Sequence, residues 1–138
     1  MLGAEAIVRS AGGALVGVDL GGLTVRRTRR LSAERQVMLN AVGLAIVAAI
    51  YPAARRPWRL DRSSVGELLG VVGFGTAGVV AARSSRLRAP RLLAVGWASH
   101  ALFDVAHGHD EGSRLPRWYP AFCAAYDLVL GGHLARVT

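Results

Sequence analysis

The chain has 138 residues, 52% of them hydrophobic and 19% charged, with a single cysteine, Cys123. That composition excludes a disordered chain, which is poor in apolar residues, and the lone cysteine excludes a disulfide framework. Arginine accounts for all 17 basic side chains against nine acidic ones, a formal net charge of +8, which suits nucleic acid, an anionic membrane surface or the loops of a membrane protein.

Residues 1–35 form a basic N-terminal segment. Within it, residues 10–25 (SAGGALVGVDLGGLTV) are a weak candidate for a first helix, loosened by glycines and interrupted by Asp19. The segment does not read as a signal peptide, because its charged and apolar parts come in the wrong order. Arg26, Arg27, Arg29, Arg30 and Arg35 follow it.

From residue 36 onward, arginine clusters bound four apolar gaps. These are 36–54, 63–82, 92–113 and 118–135, of 19, 20, 22 and 18 residues. A bilayer core of about 30 Å takes about 20 residues of helix. A soluble helix shows a polar stripe every third or fourth residue, and the first two gaps show none. The expectation is therefore all-α: residues 36–138 form an integral membrane helical bundle. It has four strong transmembrane helices at about 37–54, 65–82, 91–107 and 120–135, with residues 10–25 as a weaker fifth. A soluble four-helix bundle explains the gaps less well. The location is a cell membrane, multi-pass. Nucleic acid is not expected as a partner, since the arginines form no single face and no aromatics alternate with them for base stacking.

Local chemistry places the helix ends. Pro52 closes the first strong span, because proline cannot donate within a helix. Ser64 and Glu67 read as a capping box opening the second. Pro90 and Pro120 suit the first turns of the third and fourth. Gly70, Gly73 and Gly75 lie inside a span with no lysine after them, so they suit close helix–helix contacts rather than a phosphate loop. With the N-terminal segment in the cytoplasm, eleven arginines fall inside and six outside, the favoured orientation. Tyr51, Trp58, Trp118 and Tyr119 then mark the outer boundary as an aromatic belt.

The third and fourth spans carry the chemistry. His100, Asp104 and His107 lie at i, i+4 and i+7, within about 60° on one helix face. Cys123 and Asp127 share a face of the next helix. Counted from the outer end at about 1.5 Å per residue, His100 and Asp127 reach similar depths, and Asp104 and Cys123 share a shallower layer. Glu67 begins its helix on the same side. Ionisable groups in a span face the bundle interior and seek partners. Imidazole, carboxylate and thiolate are also ligands for a divalent metal such as zinc. The candidate metal ligands are His100, Asp104, His107 and Cys123, and the candidate catalytic carboxylates are Asp127 and Glu67. The competing reading is a buried hydrogen-bonded cluster that only locks the helices together. Glu67 as a mere cap and Cys123 as an apolar filler belong to that reading. Trp97 and Tyr126 read as packing residues, His133 sits at the far end of its helix, and His109 falls in the solvated GHDEG turn.

The stretch GWASHALFDVAHGHD, followed by PRWYPAFCAAYDLVL, resembles a family of small bacterial integral membrane proteins with no assigned activity. The pattern is His-x3-Asp-x2-His (His100, Asp104, His107), a short loop with Trp118 and Pro120, then Cys-x3-Asp (Cys123, Asp127). The resemblance spans residues 64 to 135 and implies a membrane location and these site residues. A looser analogy runs to intramembrane zinc hydrolases of the ceramidase and adiponectin-receptor type, which also place His and Asp on several spans. Two functions follow as alternatives: a metal-dependent membrane hydrolase, or a non-enzymatic membrane subunit. Membrane lipid is the expected partner, and the small size is compatible with a homo-oligomer.

Overall fold

The computed structural model describes residues 3–108 and 112–137, so His109 lies outside the described residues. Five helices follow one another: α1 (Ala4–Thr28), α2 (Ala33–Ala54), α3 (Arg62–Ala82), α4 (Ala89–His107) and α5 (Tyr119–Leu134). The described residues contain no strand, only an isolated bridge between Arg55 and Ser113 that ties the α2–α3 loop to the α4–α5 loop.

Three helices, α1, α2 and α3, are long and apolar enough to cross a membrane. This departs from the expectation of four strong spans. Two of the four qualify, and the helix expected to be weakest qualifies as well. The packing explains the difference. α4 lies at the centre, against α2, α3 and α5, and buries polar side chains (His100, Asp104) among its nine buried residues. A helix shielded by its neighbours need not be apolar on every face. α5 has 16 residues, about 24 Å of helix, and is covered by α4 on one side and α1 on the other.

The glycines of α1 are interface, not breaks. Its buried residues are Gly13, Gly17 and Gly21 alone, spaced four apart on one face. They meet α5. A Cβ on Gly13 would sit 2.7 Å from the Trp118 carbonyl oxygen and one on Gly21 2.9 Å from Val129 Cβ, and one on Gly17 would collide with the Phe122 carbonyl. Absent side chains let the two backbones approach closely. On α3 the expectation reverses in part. Gly73 and Gly75 have open space where a Cβ would go, and Gly70 meets only the Phe103 and Phe74 rings. Close backbone contact occurs instead at Gly78, against Ala41.

Three boundary expectations are corrected. α2 ends at Ala54 as expected, but Pro52 lies inside its last turn rather than closing it. α3 starts earlier than expected, with Asp61 as N-cap in a capping box with Ser64, so Glu67 is an interior helical residue. Tyr51 is buried, not part of an interfacial belt, while Trp58 and Trp118 are exposed. Pro90 and Pro120 do occupy first turns.

The contacts fix the directions. Gly13 and Gly21 align with Trp118 and Val129, so α1 and α5 run parallel. Gly131 packs on Ala94 and Gly78 on Ala41, so α4–α5 and α2–α3 are antiparallel. The helices alternate up and down. Arg9 therefore lies at the opposite end from the Arg26–Arg35 cluster, and the arginines divide ten to seven. Among the described residues the side-chain carboxylates in the ten-arginine half are Glu34 and, nearer mid-helix, Asp19. The apolar core, with Leu44, Leu93, Trp97, Leu130 and Leu134, fills that half of the bundle. The polar residues collect in the other half.

Candidate metal centre

α4 and α5 present their polar faces to each other, and they close where Gly131 of α5 packs on the Ala94–Ala98 stretch of α4. Gly131 sits within 3.1 Å (measured to its would-be Cβ) of the Ala94 carbonyl. That register brings His100 opposite Asp127. His100 Nδ1 lies 2.6 Å from Asp127 Oδ2 and 3.4 Å from Asp104 Oδ2 on its own helix. Tyr51 reaches over from α2, its hydroxyl donating to Asp104 Oδ1 at 2.8 Å. The Cys123 thiol faces the Tyr119 hydroxyl at 3.8 Å.

His100, Asp104, Cys123 and Asp127 each offer one ligand atom, and these four atoms lie within 4.8 Å of one another, all on buried residues. Several polar atoms in the cluster have no hydrogen-bond partner: His100 Nε2, Asp104 Oδ2 and Asp127 Oδ1. Buried polar atoms are nearly always paired, so this is unspent capacity. The charge balance points the same way. Two carboxylates share a single imidazole, and like charges out of water are costly without a compensating cation. The donor set of one nitrogen, two carboxylates and one sulfur suits a zinc-like ion.

His107 is not part of this cluster. Its Nε2 lies 2.8 Å from Glu67 Oε1 on α3. Glu67 is also held by Arg55, whose Nε and Nη2 donate to Oε2 and Oε1 at 2.8 and 2.7 Å. The pair is bidentate, the stronger geometry for guanidinium and carboxylate. Both Glu67 oxygens are thus engaged, an arrangement that favours a structural role over that of a free base. The six side chains expected to converge therefore separate into two neighbouring groups. Aromatic rings join them: Phe103 stacks on His107 with centroids 5.1 Å apart, and the Tyr51 ring meets His107 edge-on at 5.1 Å. Phe74 packs edge-on against His100 at 4.9 Å.

Two participants escaped the sequence reading. Arg55 reads as one more loop arginine, and Tyr51 as a boundary aromatic. Both are almost fully buried, at 2% and 1% exposure. The available signal was Glu67 itself, an acid within an apolar stretch that requires a cation, with Arg55 the residue that caps the facing end of α2.

The chain matches no family model, no curated protein and no solved structure. The functional reading therefore rests on the cluster and on the apolar helices around it.

Proposed function

We propose that this chain is a multi-pass membrane protein whose α4–α5 cluster holds a divalent metal, zinc being the best match to the donors. The observation that carries the reading is the four-residue group His100, Asp104, Cys123 and Asp127, with ligand atoms within 4.8 Å and three polar atoms unspent. All five helices would lie in the bilayer, with exposed apolar side chains such as Val95, Leu102 and Val105 of α4 and Leu128 of α5 facing lipid beside those of α1 to α3. The ten-arginine end would face the cytoplasm. With Asp127 bonded to His100 Nδ1, His100 Nε2, Asp104 and Cys123 would hold the metal and leave a fourth position, where it would supply Lewis acidity and a water activated at neutral pH; that makes hydrolysis of a membrane lipid the activity in view. Asp127, holding the His100 imidazole, is the carboxylate placed to manage a proton there.

The second reading is a non-enzymatic subunit in which the cluster locks the helices. The short His100–Asp127 contact and complete burial favour it. Metal content separates the two. The protein would be purified in mild detergent without an affinity-metal step and assayed by elemental mass spectrometry beside His100→Ala. About one zinc per chain, lost in the variant, supports the metal centre. No metal in either, with a less stable variant, establishes the lock.

A further inference from the structure

The end of the bundle opposite the His100–Asp127 cluster holds a pocket. It lies between the C-terminal halves of α1 and α5, has a volume of about 470 Å³, and combines two facing stripes. α1 contributes Gly22, Val25, Arg26 and Arg29, and α5 contributes Leu128, Val129, Gly132, His133 and Arg136. The spacing on α1 is i, i+3, i+4, i+7, one helix face. Because the helices are parallel, both stripes run from apolar to cationic in the same direction. Val25, Leu128 and Val129 line the deeper part, and Arg26, Arg29 and Arg136 ring the mouth. Gly22 and Gly132 keep the pocket open, as a Cβ on either meets nothing within 4 Å.

Three features point to a ligand. Arg26, Arg29 and Arg136 have no carboxylate partner among the described residues; the side-chain carboxylates nearest along the chain, Asp19 of α1 and Glu34 of α2, form no ion pair with them. His133 Nε2 is shielded from solvent and has no hydrogen-bond partner. The pocket is also amphipathic along its length. A free anion needs only the cationic mouth, whereas an apolar interior beneath it matches hydrocarbon attached to an anion. Guanidinium groups favour phosphate through planar, multidentate hydrogen bonding, and basic pockets between spans at the cytoplasmic side suit anionic headgroups.

We infer that the α1–α5 pocket binds an anionic phospholipid, with its phosphate on Arg26, Arg29 and Arg136 and the start of an acyl chain along Val25, Leu128 and Val129. The site is independent of the metal centre and stands if that centre proves to be only a lock.

The test is native mass spectrometry of the full chain in detergent, with phosphatidylglycerol and phosphatidylcholine supplied in equal amounts. The wild type should retain phosphatidylglycerol at least about tenfold over phosphatidylcholine. An Arg29→Gln/Arg136→Gln double variant should lose that preference. Gly132→Leu should lose the lipid as well, because it fills the pocket while keeping every arginine. Arg86→Gln, at the same end but outside the pocket, should behave as wild type. Equal retention of the two lipids overturns the assignment. So does Gly132→Leu holding phosphatidylglycerol normally, since a diffuse arginine field would then suffice. If inorganic phosphate at millimolar concentration displaces the lipid completely, the site belongs to a free anion instead. The double variant alters only exposed side chains, so its result can be read even where Gly132→Leu lowers stability.

Discussion

His100 Nδ1 and Asp127 Oδ2 stand 2.6 Å apart between α4 and α5, and both side chains are fully buried. One residue lies 27 positions from the other, so the contact exists only because the helices pack in this register. Removing one member of such a pair leaves the other uncompensated, at a cost of about 3–5 kcal/mol. His100→Ala and Asp127→Ala should each lower the unfolding midpoint strongly. The double variant should cost much less than the sum, with a coupling energy of about 0.5–3 kcal/mol. Reversible unfolding in mixed detergent measures it. Strict additivity would show that the two groups do not interact.

A metal in the same cluster adds its own signature. Zinc at a hundredfold over its Kd should stabilise the wild type by about 2.7 kcal/mol, because it binds the folded chain and not the unfolded one. The Asp104→Asn variant keeps the side-chain shape but removes a charge and a ligand, so its gain should be small. Thermal melts with and without added zinc read the difference. Equal shifts for both proteins place the binding elsewhere.

The Arg55–Glu67 pair predicts a different pattern. Arg55→Met should destabilise by about 3–5 kcal/mol, because it leaves a buried carboxylate without its guanidinium. An Arg55→Met/Glu67→Met double variant should recover most of that loss, since apolar packing of similar volume often replaces a buried ion pair without penalty. The recovery should be partial, as His107 loses Glu67 too. Zinc binding should survive in the double variant, because neither residue belongs to the four-residue cluster. Its loss would join the two groups into one site.

Much of the cluster was legible because helix geometry is local. His100 and Asp104 share a face through i, i+4 spacing, and matching depths along α4 and α5 placed Asp127 opposite His100. What the spacing could not resolve was rotation about each helix axis relative to three neighbours. His107 has nearly the angular position of His100, yet about two turns further along the helix it lies level with Glu67, and Glu67 is anchored by Arg55. The bundle's edge was misjudged for a related reason. Glycine lowers intrinsic helix propensity, so residues 10–25 read as weak. The same glycines at Gly13, Gly17 and Gly21 form the surface on which α5 closes, a tertiary gain that no local propensity records.

The α1–α5 seam is the fourth test. At Gly17 any side chain meets the Phe122 carbonyl, a rigid backbone atom, whereas at Gly12 a Cβ meets nothing within 4 Å. Both are interior helical positions. Gly12→Ala should therefore be neutral or stabilising by about 0.5–1 kcal/mol, the ordinary helical gain. Gly17→Ala should lose about 1–3 kcal/mol to overpacking, and Gly17→Leu should separate α1 from α5. Proteolysis at the loop that joins α1 to α2 should then accelerate for Gly17→Leu alone. Equal behaviour of the Gly12 and Gly17 variants would show that α1 is not held by this seam.

Orientation supplies the last prediction. With α1 running its full length, ten arginines gather where α1, α3 and α5 end, against seven at the other end. The positive-inside bias predicts that the ten face the cytoplasm. The native Cys123 is buried, so it should stay silent toward a membrane-impermeant maleimide. Leu60→Cys, in the loop between α2 and α3 and 82% exposed, should label in intact cells. Ser85→Cys, in the loop between α3 and α4, should label only after the membrane is opened. The N-terminus should share the side of Leu60, because α1 crosses to reach α2. The reverse labelling pattern would invert the bundle. It would place the arginine-lined α1–α5 pocket in the outer leaflet, and the His100–Asp127 cluster in the half nearer the cytoplasm.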